Sequence, residues 1–246
     1  MTVYLCENSI NGLLSALYIS FVENEIPTEI IDRSIYQPRF DAYIREIDTN
    51  TQNNVKVKTA LYNYGGNNML SHLKTCLYSC NKQALTIAFN YAHLTLETKA
   101  DVSNRLSNKY VSDFSFTIQQ VLYERHLMTG LLRFKESAGN VMYAQYSPDN
   151  DITSLLATHF FKRFGQTPFI IHDAKRNKIA ISNGKAIKVL YTDLPPTFYP
   201  SDNEEEMALL WKKYFNSINI QERLNKSQQN RLFPRRYRQY AYETWE

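Results

Sequence analysis

The spacing of apolar residues along the first half of the chain predicts mostly helices. Residues 2–6 form a short apolar run typical of a strand, and Ser9 stands where it can cap the helix that follows. Three stretches carry apolar side chains at helical spacing: residues 13–21, 55–96 with a break at Gly65-Gly66, and 113–128. Residues 27–54 are polar and irregular, with one short amphipathic stretch around Tyr43-Ile44, and the run Asn50–Asn54 predicts a loop.

After residue 129 the pattern changes to that of strands. The strand-like runs are residues 130–136, 140–146, 169–173, 178–182 and 185–190. A helix that starts at Pro148–Asp151 and stops at Gly165 separates the second run from the third, and Asn183-Gly184 is a strong hairpin signal. The order β-β-α-β-β-β predicts an α+β unit with an antiparallel sheet.

The last part of the chain predicts a linker, a helix and a polar tail. Residues 194–201 contain several prolines, and acidic residues after Ser201 favour a helix start. One face of this helix carries Met207, Leu210, Trp211, Tyr214 and Phe215. The helical spacing of Trp211, Tyr214, Phe215 and Ile218 predicts a face that packs in the core rather than a stacking platform. The tail 228–240 is polar and basic, and Pro234 interrupts any helix there.

These elements predict an α+β fold in two parts. Residues 1–128 form a mostly helical N-terminal part with a first short strand. Residues 129–246 form an α+β unit with a small antiparallel or mixed sheet, one packed helix, and a basic C-terminal helix and tail. The two parts could equally form one continuous domain.

Composition narrows the class of protein without identifying it. The hydrophobic fraction of 43% and the charged fraction of 21% are ordinary for a globular protein. No run approaches the roughly 18 apolar residues of a membrane span, and the first residues lack the pattern of a signal peptide. The three cysteines suit a reducing compartment. We therefore expect a cytoplasmic protein with no membrane partner.

The positive charge is concentrated in the last third of the chain. The net charge is +4, yet residues 162–188 hold seven Lys or Arg against one Asp, and residues 207–240 hold eight against one Glu. Basic patches attract phosphates and speed encounter with nucleic acid. The alternative is a solvated basic face with no partner, or one that pairs with the acidic remainder of the chain.

Several residues in these stretches are candidates for nucleic-acid contact. The segment Pro234–Arg238 interleaves three guanidinium groups, which can fork phosphate oxygens, with Tyr237, which can stack on an unpaired base. The candidates are Arg163, Arg176, Lys212, Lys213, Arg223, Asn225, Gln228, Arg235, Arg236, Tyr237 and Arg238. The alternative is that the arginines clamp acidic residues of this chain or dock on a protein partner.

The sequence offers weak candidates for catalysis, and they are His159, His172 and Asp173. A histidine close to an aspartate can do general acid–base chemistry. The alternative, which we favour, is that Asp173 caps a turn and Arg176 pairs with it.

Neither a metal nor a cofactor is expected. His72, Cys76 and Cys80 would lie along one helix face, but positions i and i+8 are about 12 Å apart, too far for one ion. Gly65-Gly66 lacks the lysine and hydroxyl residues of a phosphate loop, and no dinucleotide fingerprint is present.

Three segments of the chain resemble a bacterial family of DNA metabolism proteins that contains a domain of unknown function. The similar segments are His126–Glu136, the residues Tyr143, Pro148, Asp151, Leu155, His159, Phe160, Arg163, Phe164 and Ile171–Asp173, and the C-terminal run Trp211–Asn225 with Gln228 and Pro234–Tyr237. Members of that family are typically encoded beside a radical S-adenosylmethionine (SAM) protein similar to spore photoproduct lyase. Some are fused to a uracil-DNA glycosylase-type domain. The resemblance supplies no catalytic residue.

The resemblance and the charge pattern together predict a DNA metabolism or DNA repair accessory protein. It would bind DNA and work with a radical SAM partner, which the resemblance alone implies. Two alternatives remain open at this point. One is a base-acting repair enzyme of glycosylase type, which would need His159, His172 and Asp173 in one pocket. The other is a protein-docking module without DNA contact.

Overall fold

The computed structural model describes residues 1–137, 139–192, 199–201, 204–218, 227 and 233–241. For Glu205, Lys212, residues 215–218, Arg235 and Arg236 it describes the backbone alone. The chain divides into two compact units, Met1–Leu122 and Tyr123–Glu246. The elements of the two units are mixed α and β, which confirms the predicted α+β class.

The first unit is built on a small parallel sheet. Its strands are β1 (Thr2–Cys6), β2 (Glu29–Asp32) and β3 (Tyr43–Glu46), and both β2 and β3 pair with the central β1. Helix α1 (Ile10–Glu23) connects β1 to β2, and the Ser9 hydroxyl caps it by accepting from Gly12 N–H at 3.1 Å. The prediction of an irregular segment over 27–54 is wrong, because two four-residue strands lie within it.

Four further helices follow in the chain. They are α2 (Thr51–Gly65), α3 (Met69–Leu77), α4 (Ala84–Thr98) and the long α5 (Lys109–Leu131). Helix α4 packs against β2. The loop predicted for Asn50–Asn54 is wrong, because the Asn50 side chain caps α2 by accepting from Asn53 N–H at 3.1 Å. Apolar residues of α1 to α4 and the first turns of α5 form one buried cluster, which includes Leu13, Leu17, Leu61, Leu73, Phe89 and Phe114.

The second unit is built on a five-stranded mixed sheet. Its strands are β4 (Lys135–Ser137), β5 (Val141–Tyr146), β6 (Phe169–Asp173), β7 (Lys178–Ser182) and β8 (Ile187–Tyr191), in that spatial order. Helix α6 (Thr153–Phe164) packs on one face and makes β5 and β6 parallel; the other pairs are antiparallel. The strand predicted from residue 130 starts later, because α5 continues to Leu131.

Two helical segments follow the sheet. Helix α7 (Glu204–Ile218) begins beside β4, where Glu136 N–H donates to the Glu204 carboxylate at 2.7 Å. Helix α8 (Arg235–Arg238) is a single turn directly after Pro234. The prediction that the apolar face of α7 is core does not hold for Trp211 and Tyr214, which are 40% and 54% exposed.

Among the described residues, none of the helices combines the length and the apolar character that crossing a membrane would require.

Candidate nucleic-acid interface

The basic stretch 162–188 divides between the two ends of the second unit's sheet. At the carboxyl end of β6 its cations are neutralised: Arg176 pairs with the buried Asp173 at 2.9 Å, and Lys178 pairs with Asp151 at 2.6 Å. Lys175 lies 3.7 Å from Asp149. Arg176 also donates to the backbone carbonyls of Pro148 and Asp149. Arg176, a candidate for phosphate contact, is thus held by a carboxylate and two carbonyls.

The pKa shifts of Asp173 and Lys178, at the carboxyl end of β6, fit a structural role for these residues. Burial raises the pKa of Asp173, and the guanidinium of Arg176 offsets that effect in part. Burial is the largest single effect on Lys178 and lowers its pKa, but the hydrogen bond and charge of Asp151 together with the interactions of Tyr191 outweigh it, so that the pKa is raised overall. Asp173 also accepts from the backbone N–H groups of Lys175 and Arg176, as a turn-capping aspartate does.

The opposite end of the sheet keeps its cations exposed. We call this surface the basic end; its residues are Lys162, Arg163, Lys185 and Lys188. Within the described ranges no carboxylate forms an ion pair with any of them. Lys162 and Arg163 lie in the last turn of α6, and Lys185 and Lys188 lie at the turn between β7 and β8 and just after it.

Tight packing brings the two halves of the basic end together. The β7–β8 turn contains Gly184 at φ +80, and a Cβ built there would lie 2.1 Å from the carbonyl oxygen of Gln166. The turn that carries Lys185 therefore packs directly against the connection that follows α6. The side chains of Lys162 and Arg163 extend from the end of that same helix.

A groove of about 630 Å³ adjoins the basic end. Its floor is aromatic and apolar, and α7 forms one wall; its lining includes Phe134, Met142, Phe160, Phe164, Met207 and Trp211. Arg163 and Arg133 lie on its rim, and Glu136 and Glu204 line it as well. The phenyl ring of Phe134 packs edge-on against Phe160 and Phe164, with centroid distances of 4.8 Å, so the floor is rigidly packed.

Trp211 and Arg133 contact each other at this groove. The Arg133 guanidinium lies over the indole ring, 5.8 Å from its centroid, and donates to the carbonyl of Gly130 at 2.8 Å. Tyr214 follows one turn later, with its ring 5.8 Å from that of Trp211. Neither Arg133 nor Trp211 was among the predicted nucleic-acid contacts.

The three candidate catalytic residues do not share a pocket. His159 is exposed on α6, whereas His172 and Asp173 are buried, and as neighbours in β6 they point to opposite faces of the sheet. The Tyr143 hydroxyl lies 2.9 Å from His172 Nδ1, and in the described part of the molecule His172 Nε2 has no hydrogen-bond partner. Burial lowers the pKa of His172. The weak acid–base candidates are thus not assembled into one site, and Asp173 caps a turn and pairs with Arg176, as in the alternative that the sequence favours.

Glu124 of α5 is a buried polar residue that the sequence did not indicate. Its carboxylate accepts from the backbone N–H of Asp149 at 2.7 Å, and from the backbone N–H and side-chain amide of Asn150 at 2.8 and 2.6 Å. The Tyr237 hydroxyl donates to it as well. Tyr237 was predicted to stack on a base, but its ring is buried, so it anchors the C-terminal segment instead.

The remaining candidates are described in part. Lys213 is exposed on α7, and Arg238 donates from Nε to the Phe233 carbonyl at 2.9 Å. The backbones of Lys212, Arg235 and Arg236 are helical. Arg223, Asn225 and Gln228 lie outside the described residues.

The cysteine and histidine residues considered as metal ligands are spread apart. Cys76 is buried in α3, and burial raises the pKa of its thiol to about 12, whereas Cys80 lies beyond the helix and is exposed. Over the described ranges, no three side chains of the His, Cys, Asp or Glu type gather as they would around a metal ion.

Comparison with known protein families gives a match. Residues 82–243 match the family model of a domain of unknown function, DUF4130. No curated protein matches the sequence. The matched range includes the basic end, the groove and α7.

Proposed function

Since the chain belongs to the family of the domain of unknown function DUF4130, we propose its function from the geometry of the second unit. In this proposal the protein is an accessory factor of DNA metabolism or repair, and it binds nucleic acid at the basic end. The observation that carries this proposal is the division of the basic stretch 162–188: three cations are neutralised by carboxylates, and four remain exposed together at the other end of the sheet. Exposed, unpaired cations in one place supply the phosphate attraction on which nucleic-acid binding depends.

The resemblance to the DNA metabolism family supports the same location. Residues from all three similar segments line one groove next to the basic end: part of His126–Glu136, the residues Phe160, Arg163 and Phe164, and Trp211 of the C-terminal run. These segments are distant in sequence but adjacent in the fold. Their convergence on a surface with guanidinium groups and exposed aromatic rings favours nucleic acid as the ligand.

A radical SAM protein is the proposed partner, and the resemblance is the support for it. In this arrangement the partner carries out the chemistry and the present chain holds the nucleic acid. The glycosylase-type alternative receives no support from the geometry, because His159, His172 and Asp173 lie apart.

The proposal is tested by fluorescence anisotropy with labelled DNA in about 50 mM salt. The test variant replaces three lysines of the basic end, Lys162→Gln, Lys185→Gln and Lys188→Gln. The matched control removes the same charge from exposed lysines of the first unit, Lys58→Gln, Lys74→Gln and Lys82→Gln. We expect the test variant to bind roughly 10- to 100-fold more weakly, and the control to bind within about twofold of wild type.

Two results would contradict this proposal. Equal weakening in the two triple variants would mean that the positive charge acts without a defined site. Absence of any binding by the wild-type chain would favour the protein-docking alternative.

A further inference from the structure

We infer that the groove between α7 and the aromatic floor receives an unpaired base, which makes the protein selective for single-stranded nucleic acid. This inference rests on the proposed function and specifies the kind of nucleic acid that the same surface holds. It follows from the shape of the groove, from its aromatic lining and from the position of its charges.

The groove has the size and lining of a site for a flat, apolar-faced ligand. Its volume of about 630 Å³ falls within the roughly 300–1,000 Å³ typical of small-molecule sites. Phe134, Phe160 and Phe164 form the floor, and Met207, Ala208 and Trp211 form the wall contributed by α7. Because the indole of Trp211 is 40% exposed, it has aromatic surface left for stacking.

A paired base cannot use such a surface. Inside a duplex both faces of each base are covered by its neighbours, and its Watson–Crick edge is occupied. A base can reach an aromatic floor if it is already single-stranded or has left the stack, at a cost of a few kcal/mol for a paired base. The groove therefore favours a single strand over a duplex of the same sequence.

The charges around the groove orient the strand. Arg163 lies on the rim and belongs to the basic end, so the sugar–phosphate chain follows Lys162, Arg163 and Lys185. Glu136 and Glu204 also line the groove, and the Glu204 carboxylate is turned to the backbone N–H of Glu136. These carboxylates repel phosphate, and the base rather than the backbone enters past them.

Arg133 holds the tryptophan in place. Its guanidinium is fixed by the Gly130 carbonyl and lies over the indole ring, which limits the rotamers of both side chains before any ligand arrives. The platform for a base is thus prearranged.

The test uses the full-length chain with Trp245, its other tryptophan, replaced by phenylalanine, so that Trp211 is the one fluorophore of this type. Oligo-dT of about 12 nucleotides, a length typical of single-strand sites, is titrated into the protein. A duplex of the same length is titrated in a parallel experiment. We expect oligo-dT to quench the tryptophan fluorescence with the same Kd that anisotropy gives, and to bind at least about tenfold more tightly than the duplex.

Variants separate stacking from other contacts. Trp211→Ala is expected to weaken oligo-dT binding roughly 5- to 100-fold, and Trp211→Phe to retain most of the affinity. Leu209→Ala, an exposed apolar residue of α7 outside the groove, is the matched control and is expected to leave the affinity unchanged. Two surface substitutions test the sign of the charge: Arg163→Gln should weaken binding and Glu136→Gln should strengthen it, each by about two- to fivefold.

The outcomes distinguish this inference from the proposed function. Binding that depends on the basic end but shows no quenching and equal affinity for duplex and single strand would overturn the unpaired-base site and leave the proposed function standing. An undiminished affinity of Trp211→Ala would do the same. If neither DNA binds the chain, both proposals fall.

Discussion

At the scale of single residues, Glu124 shows how a carboxylate can be buried when, among the described residues, its hydrogen-bond donors are all neutral groups. Four donors reach its two oxygens: two backbone N–H groups, the Asn150 amide and the Tyr237 hydroxyl. A carboxylate has about four acceptor positions, so this one is saturated. Three separate parts of the second unit, namely α5, the connection before α6 and the segment after Pro234, are joined at this point.

We predict that Glu124→Gln destabilises the protein by about 2–4 kcal/mol. The amide NH₂ replaces one acceptor oxygen, so at least one buried backbone N–H is left facing a donor, and the remaining hydrogen bonds lose the charge of the carboxylate; each unsatisfied buried group costs about 1–3 kcal/mol. The free energy of unfolding, measured by urea denaturation, checks this expectation. Glu206→Gln, on the exposed side of α7, is the control and should change stability by less than about 0.5 kcal/mol. An unchanged denaturation midpoint for Glu124→Gln would rule out the role given to this carboxylate.

Local contacts between residues could be predicted from the sequence, and distant ones could not. Asp173 and Arg176 are three residues apart, and their pair is the alternative that the sequence favoured. Glu124 bonds to residues that lie 25 and 113 positions further along the chain. In the sequence its immediate neighbours are Tyr123 and Arg125, and this local context is typical of an exposed helix turn. The burial of Tyr237 could not be predicted either, because it bonds to Glu124, 113 positions away. Its arginine-rich neighbours are typical of a solvent-facing segment.

At the scale of elements, the spacing of apolar residues predicted the positions of the helices better than it predicted which elements pack against them. The spacing of apolar residues predicted α7 correctly as a helix, but it cannot show whether another element covers the apolar face, and Trp211 and Tyr214 are exposed. The strands β2 and β3 were missed because each has four residues and mixes charged with apolar positions. The hairpin signal at Asn183-Gly184 succeeded because the turn between β7 and β8, residues 183–186, contains a position with φ above zero, which Gly184 occupies at little steric cost.

The turn at Gly184 provides a test at this scale. Gly184→Ala is predicted to destabilise the second unit by about 1–3 kcal/mol, because the residue has φ +80 and its Cβ would meet the Gln166 carbonyl oxygen at 2.1 Å. Gly130→Ala is the matched substitution in α5, where a Cβ meets nothing within 4 Å, and it should stabilise by about 0.4–1 kcal/mol. Thermal unfolding followed by circular dichroism measures both. Shifts of the same sign would contradict this reading of the turn.

At the scale of the whole molecule, the candidate site is a property of the fold rather than of any segment. The stretch 162–188 is strongly basic in sequence, and the fold pairs three of its seven cations with carboxylates and leaves four exposed to solvent. The groove likewise combines residues from α5, β4, α6 and α7. Composition and charge could predict that a basic surface exists. They could not predict that Arg163 belongs to it and Arg176 does not, because this depends on which carboxylates the tertiary structure places beside each arginine.

The family match and the compact units have different boundaries. The match starts at residue 82, just before α4, whereas the first unit extends to Leu122. Helix α4 belongs to the buried cluster of the first unit through Leu85, Ala88, Phe89 and Ala92, which pack with residues of α1, α2 and α3. The matched range therefore begins with a helix whose apolar face is covered by residues outside that range.

We predict that a chain truncated to residues 82–246 does not behave as an independent folded domain. Removing residues 1–81 takes away Leu13, Leu17, Leu61 and Leu73 and uncovers the buried face of α4. An exposed apolar surface of this kind drives self-association. Size-exclusion chromatography with light scattering should show oligomers, and the fluorescent probe anilinonaphthalene sulfonate, which binds exposed apolar surface, should bind several-fold more strongly than to the full-length chain. The contradicting result is a truncated chain that is monomeric, unfolds in a cooperative thermal transition and binds no more probe than the 246-residue chain. It would mean that α4 stays folded without residues 1–81. The packing seen in the full chain argues against that outcome, because Ala88, Phe89 and Ala92 have no exposed surface in it.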